Sequence, residues 1–171
     1  MSQQVTKSIN ELFDTNVNTN SIICCSGGPD SVYLAYMIHQ YLPGTHTLIY
    51  FDHQQRPNET PKEITRIQSL ANELMMNHDI IKLPKKQNAS QDYFRNQRLY
   101  ELEKYCKKHG IKTVFTGHHL DDDIETLFYQ LSRGATTNFR GIPIKTTFKN
   151  FTIWHPLLKI SKKEILRYLN T

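Results

Sequence analysis

The chain has 171 residues, of which 38% are apolar and 22% charged, with a net charge of +5. That length suits one domain with a real hydrophobic core, and the lack of any run of about 18 apolar residues argues against a membrane span. Cys24, Cys25 and Cys106 are an odd number with no CxxC pair, which argues against a disulfide framework and against a cysteine-bound zinc or iron–sulfur site. The N-terminal stretch MSQQVTKSINELFDTN holds no apolar signal core, so a cytoplasmic location is expected. Charge is unevenly spread: residues 1–60 carry a net −3, residues 61–117 +5 and residues 118–171 +3. The basic middle and end suit phosphate-bearing partners, or a solvated lysine-rich surface.

In chain order, strand and helix patterns alternate. SIICC is short, apolar and β-prone, and it stops at Gly27-Gly28. The segment DSVYLAYMIHQYL has helical spacing, THTLIYFD reads as a second strand, and ETPKEITRIQSLANELMMNH as a helix with Pro61 in its first turn. DIIKLP is a third strand. SQDYFRNQRLYELEKYCKKHG is a helix capped by Ser90 and stopped at Gly110. KTVFTG is a fourth strand, and DDDIETLFYQLSRG a helix ending at Gly134. IPIKTTFKNFTIWHPLL reads as two strands around Lys149-Asn150, and SKKEILRYLN as a helix with Ser161 and Glu164 forming a capping box. The alternation predicts an α/β fold: a parallel twisted sheet with helices on both faces, in one domain spanning 1–171. Ligands of such sheets bind at the carboxyl ends of strands, near the topological switch point.

Polar clusters fall at those strand ends. In SGGPDS, Gly27 and Gly28 allow close approach to the main chain, Ser26 and Ser31 offer hydroxyls, and the helix start near Asp30 presents free amides and a positive dipole end. This is a phosphate cradle without the lysine of a Walker loop. A carboxylate inside an anion site calls for a cation such as Mg²⁺ between Asp30 and the phosphates. The competing reading is a plain corner with Asp30 as N-cap. In TGHHLDDDIET, helix-start acids are expected on dipole grounds, but that does not explain His118 and His119 together with three aspartates and Glu125. Asp122 and Glu125 share a helix face and could receive a metal or an ammonium group. A zinc reading lacks a third ligand at ordinary spacing. Arg95 and Arg98 lie three apart on one helix, either as a phosphate-binding fork or as a solvated face. Asp52 and His53 close the second strand beside the first loop, where Asp52 would otherwise cap a turn.

SGGPDS after a strand resembles the pyrophosphatase loop of the N-type ATP pyrophosphatases, a Rossmann-like PP-loop group that cleaves ATP to AMP and pyrophosphate. With GHHLDDDIET, LSRG at Leu131–Gly134, HPLL at His155–Leu158 and SKKEI, the chain resembles the tRNA(Ile)-lysidine synthetase family from about Ser21 to about Leu169. Pro29 and the lack of cysteine pairs favour that branch over the related tRNA 2-thiocytidine branch. The resemblance implies adenylation of carbon 2 of the wobble cytidine of tRNA(Ile) with anticodon CAU, followed by displacement of AMP by free L-lysine. It implies ATP contacts at Ser26, Gly27, Gly28, Pro29, Asp30, Ser31, Asp52 and His53, with Asp30 on Mg²⁺. Asp30, Arg98 and His118 are the implied catalytic residues, Asp122 and Glu125 the lysine site, and Arg95 and Arg133 tRNA contacts. No membrane partner is implied, and a homodimer is left open. The chain departs from the family at Asp52, at Leu99 in place of a tyrosine, and at His155 in place of an arginine. Family members continue past Thr171 with a C-terminal tRNA-binding region, so the chain is expected to be the catalytic domain alone. Two other readings stay open: tRNA 2-thiolation on the same loop, and a non-catalytic nucleotide- or tRNA-binding module.

Overall fold

A computed structural model describes residues 20–86, 88–132 and 140–170. Eleven elements follow in order: β1 (Ser21–Cys24), α1 (Pro29–Tyr41), β2 (His46–Asp52), α2 (Thr60–Glu73), β3 (Asn77–Lys82), α3 (Gln91–His109), β4 (Thr113–Phe115), α4 (Leu120–Ser132), β5 (Lys145–Thr147), β6 (Thr152–Trp154) and α5 (Lys162–Leu169). The six strands form one sheet in the order β3-β2-β1-β4-β6-β5. All pairs are parallel except β5–β6, an antiparallel edge hairpin with Lys145 opposite Trp154. The sheet is therefore mixed at one edge, where the short turn at Lys149-Asn150 leaves no room for a crossover helix.

Period-2 alternation in the central strands separates two cores. Ile23 of β1, Leu48 of β2 and Phe115 of β4 face α1, α2 and α5, packing with Leu34, Ile38, Ile67, Leu70 and Ile165. Ile22, Ile49 and Val114 face the other way, onto Leu102 and Cys106 of α3. This explains why β1 and β2 read as continuous apolar runs: both faces are covered.

Helix ends follow local chemistry. Ser90 Oγ accepts from Tyr93 N at the start of α3, and Gly110 ends that helix at φ 67°. Ser161 and Glu164 satisfy each other's backbone amides at the start of α5. β3 begins two residues before Asp79, where the strand is expected to start, because Asn77 and His78 pair in register with Thr47 and Leu48 while their side chains stay exposed at the sheet surface. Among the described residues, no helix is long and apolar enough to cross a membrane.

Candidate active site

The chain leaves β1 on one side to make β2 and β3, then returns through α3 to place β4 on β1's other side. β1 and β4 thus flank the switch point, and the loops after them face one crevice. The loop after β1 is held by its own atoms. Ser31 Oγ donates to Gly28 O at 2.9 Å and accepts from Ser26 N at 3.2 Å. Ser26 Oγ lies 3.3 Å from Ser31 Oγ and accepts from Gly28 N at 3.4 Å. Gly27 sits at φ +76°, a conformation that favours glycine, with Glu63 O 3.7 Å from where a Cβ would stand. Gly28, not Asp30, is the N-cap of α1, and it offers no side-chain cap. The plain-corner reading with Asp30 as cap therefore fails. Asp30 lies inside the first turn of α1, beside amides that the helix itself cannot satisfy.

Asp30 is instead paired at long range. Both its carboxylate oxygens receive Lys162 Nζ, 132 residues away. Buried His119 stands behind the pair, its Nε2 3.6 Å from both Asp30 Oδ1 and Asp122 Oδ2 and its Nδ1 3.4 Å from Asp121 Oδ2. The three aspartates of α4 have separate tasks. Asp121 accepts from Lys162 N at 2.7 Å, Asp122 from His119 N at 2.8 Å, and Asp123 from Ile142 N. Leu120 N donates to Ile160 O at 3.0 Å, locking the starts of α4 and α5 together. Gly117 makes the junction with the first loop: a Cβ there would stand 3.2 Å from Asp30 C and 3.3 Å from Ser31 N.

A third set lines the crevice from the β4 and β6 ends. Thr116 Oγ1 is 2.6 Å from His155 Nδ1 and 3.0 Å from His118 Nδ1, and the two Nδ1 atoms are 3.2 Å apart. Burial, then the charges of His118 and Arg95, push His155 down to about 4. His118, an exposed residue, is also lowered: loss of water around the ring dominates, Asp122 opposes it, and Arg98 and Arg95 add to it. The charge of Arg98 also opposes a proton on His53 and favours the thiolate of Cys24. His53 packs edge-on against Phe94 of α3 at 4.8 Å, and burial lowers it.

The fold thus sets Ser26, Gly27, Gly28, Pro29, Asp30, Ser31, His118 and Asp122 on the loops and helix starts that follow β1 and β4, with the charges of Arg95 and Arg98 on α3 reaching His118. Buried Asp52 sits at the neighbouring strand end, where its Oδ1 accepts from Gln54 N at 2.7 Å, the turn-capping arrangement. Glu125 is exposed one turn beyond Asp122 on α4. Arg133 and Gly134 lie outside the described residues. Lys162, His119, Thr116, Asp121 and His155 are site members that carried no assigned role from sequence. Lys162 had a legible signal. It is the first residue of a capped helix, where the dipole disfavours a cation, a cost that a carboxylate partner offsets. Among the described residues, no group of three His, Cys, Asp or Glu side chains is placed to hold a metal ion.

A doubly wound sheet with an amide-rich corner and paired charges at its switch point defines an α/β domain of the nucleotide-binding class. The chain belongs to the PP-loop domain family, which matches residues 1–171. It is 32% identical over 157 residues to the tRNA(Ile)-lysidine synthase of Bacillus cereus, covering 86% of this chain and 33% of that protein. The enzyme of the same name from Mycoplasma mycoides is 28% identical over 165 residues, covering 94% and 41%. The chain thus spans about a third of the length of the curated relatives it matches. In fold it is similar to a U34-tRNA thiolase from Methanococcus maripaludis, with a TM-score of 0.75 at 18% identity over 98% of this chain and 63% of the other.

Proposed function

We propose that this domain catalyses ATP-dependent formation of lysidine on tRNA(Ile) with anticodon CAU, in the cytoplasm, releasing AMP and pyrophosphate. The observation that carries the reading is the meeting, at one switch point, of the SGGPDS corner and the Asp30–Lys162 pair, beside a His118 on which the charges of the α3 arginines act. The family match and the names of the curated relatives support it.

In this reading the ATP phosphates rest on the loop 26–31 and the first turn of α1, whose amides and dipole favour anions. Asp52 and His53 border the nucleotide from the β2 end. Asp30, at the mouth of that loop, would hold Mg²⁺ with the ATP phosphates in place of the Lys162 ammonium that both its oxygens now receive. Bound Mg²⁺ would offset charge developing on the phosphates. Arg98 polarises the cytidine carbonyl oxygen for attack on the α-phosphorus, Arg95 and Arg133 meet the tRNA backbone, and the wobble base is splayed from its loop into the crevice. Asp122 and Glu125 take the ammonium and amine groups of lysine on α4. Holding three reactants in line supplies much of the rate.

The 2-thiolation reading needs an activated sulfur. Burial pushes Cys24 up to about 12, Cys106 up to about 11, and Cys25 upward as well, so no cysteine of the chain is a ready thiolate. The test incubates the protein with ATP, Mg²⁺, L-lysine and a CAU-anticodon tRNA(Ile) transcript. AMP and pyrophosphate release that requires both lysine and tRNA is expected. Release indifferent to lysine overturns the proposal, and ATP binding without turnover favours a binding module instead.

A further inference from the structure

The Thr116–His118–His155 cluster is unusual because two imidazole Nδ1 atoms approach within 3.2 Å of each other and share one hydroxyl. A single arrangement of hydrogens satisfies all three contacts. Two Nδ1 protons at that separation would collide, and two lone pairs would repel. One Nδ1 therefore carries a proton and the other does not. The threonine hydroxyl can donate only once, so it donates to the unprotonated ring and accepts from the protonated one.

The distances choose between the two rings. Hydroxyl donors make the shorter bonds and ring N–H donors the longer ones, near 2.9–3.0 Å. The 2.6 Å contact is therefore Thr116 O–H donating to His155 Nδ1, and the 3.0 Å contact is His118 Nδ1–H donating to Thr116 Oγ1. The reverse order would place an N–H bond at 2.6 Å, shorter than that class allows. Buried His155 suits an acceptor role, since Arg95 and His118 beside it and the lack of water oppose a charge on its ring.

We propose that Thr116 and His155 are positioning residues that hold His118 as its Nδ1–H tautomer, so that His118 Nε2, outside this chain of bonds, is the base for the incoming amine. This rests on the lysidine-forming reading above. In the step it serves, the amine nitrogen forms its bond to carbon 2 of the cytidine. The bond from carbon 2 to the adenylated oxygen breaks, AMP leaves with that electron pair, and one N–H proton passes to His118 Nε2. Groups facing His118 are Arg95 and Arg98 from α3, Asp122 from α4, and His119 beside it. The relay leaves Nε2 as the bare nitrogen, whereas a free imidazole prefers Nε2–H and would offer Nδ1 instead. His155 stands where the resembling family has arginine, so this device belongs to this chain's own pattern.

Long-range ¹⁵N–¹H spectra of the histidine rings, recorded on this chain at neutral pH, read the tautomers without any turnover. His118 is expected to show a protonated Nδ1 and a bare Nε2, and His155 the opposite. A His118 signal with protonated Nε2 overturns the proposal. Thr116→Val should move His118 toward its Nε2–H form and slow lysine-dependent AMP release about tenfold. Thr116→Ser should restore both, and a Thr116→Val ring spectrum identical to the parent also overturns the relay. If the tautomers are as expected and the unmodified protein makes no lysine-dependent AMP, the functional reading fails while the relay stands.

Discussion

The two walls of the crevice are built in opposite ways. The loop at Ser26–Ser31 closes on itself, with every hydrogen bond within it spanning five residues or fewer. The segment Thr116–Asp122 is assembled from afar. His155 lies 39 residues from Thr116, Lys162 41 residues from Asp121 and 132 from Asp30. One wall is thus a local motif that folds as a corner, and the other exists only once the sheet has formed. Local chemistry binds a generic group such as phosphate, whereas long-range assembly brings together the mixed charges that a particular reaction needs.

The sharpest way to break the contrast is at the atom pair joining the walls. Asp30→Ala removes the partner of Lys162 and the acid at the mouth of the phosphate loop. ATP cleavage is expected to fall by about 10²–10³-fold, read as pyrophosphate release, and a loss under about tenfold would show that the walls work without that link. Next in size is the pH response, to which buried His155 of the assembled wall contributes most among the site histidines. His155 sits at about 4 in the fold against an ordinary 6.5, chiefly through burial. Between those values the unfolded chain binds the extra proton and the folded one does not. Stability is therefore fully present above about pH 6.5 and is lost as pH falls toward 4, by on the order of 3 kcal/mol. Denaturant midpoints taken across that window should slope upward with pH, and His155→Phe should make the slope shallower, with the lowered His46, His53 and His118 keeping the remainder. An unchanged slope would remove His155 from the account.

A third test presses the walls together. Gly117→Val places a branched side chain against the Asp30 and Ser31 backbones, 3.2–3.3 Å from the new Cβ. Backbone cannot swing aside as a side-chain tip would, so a cost of about 1–3 kcal/mol is expected from the denaturation midpoint. A neutral result would mean that α1 and the β4 loop can slide apart.

How much was legible in the sequence follows the same division. The order of strands and helices, the Ser90 and Ser161 caps, the Gly110 stop and the SGGPDS corner came from spacing and residue type, because each is decided within a few residues. His118 and Asp122 were legible as a crowded strand end. Their partners were not, since no local pattern says that Lys162 returns to Asp30 or that His155 reaches Thr116. The antiparallel edge was half legible: two strands with a turn between them point to a hairpin, but its place beside β4 comes from sheet order. The start of β3 was misplaced because Asn77 and His78 are held by main-chain pairing that ignores their polarity.

The smallest expected effects measure whether the walls are independent. Ser31→Ala removes the hydroxyl that organises the corner, and Ser161→Ala removes the cap that sets the start of α5 and with it Lys162. Each is expected to cost about 1 kcal/mol in denaturation. The two serines share no hydrogen-bond partner, and the direct charged link between their segments is the Asp30–Lys162 pair. If the corner is self-contained, the double variant should cost the sum of the two within about 0.5 kcal/mol. A larger coupling would mean that the Asp30–Lys162 pair transmits strain between the walls. The corner would then owe its shape to the distant segment, and the division between a local and an assembled wall would fail.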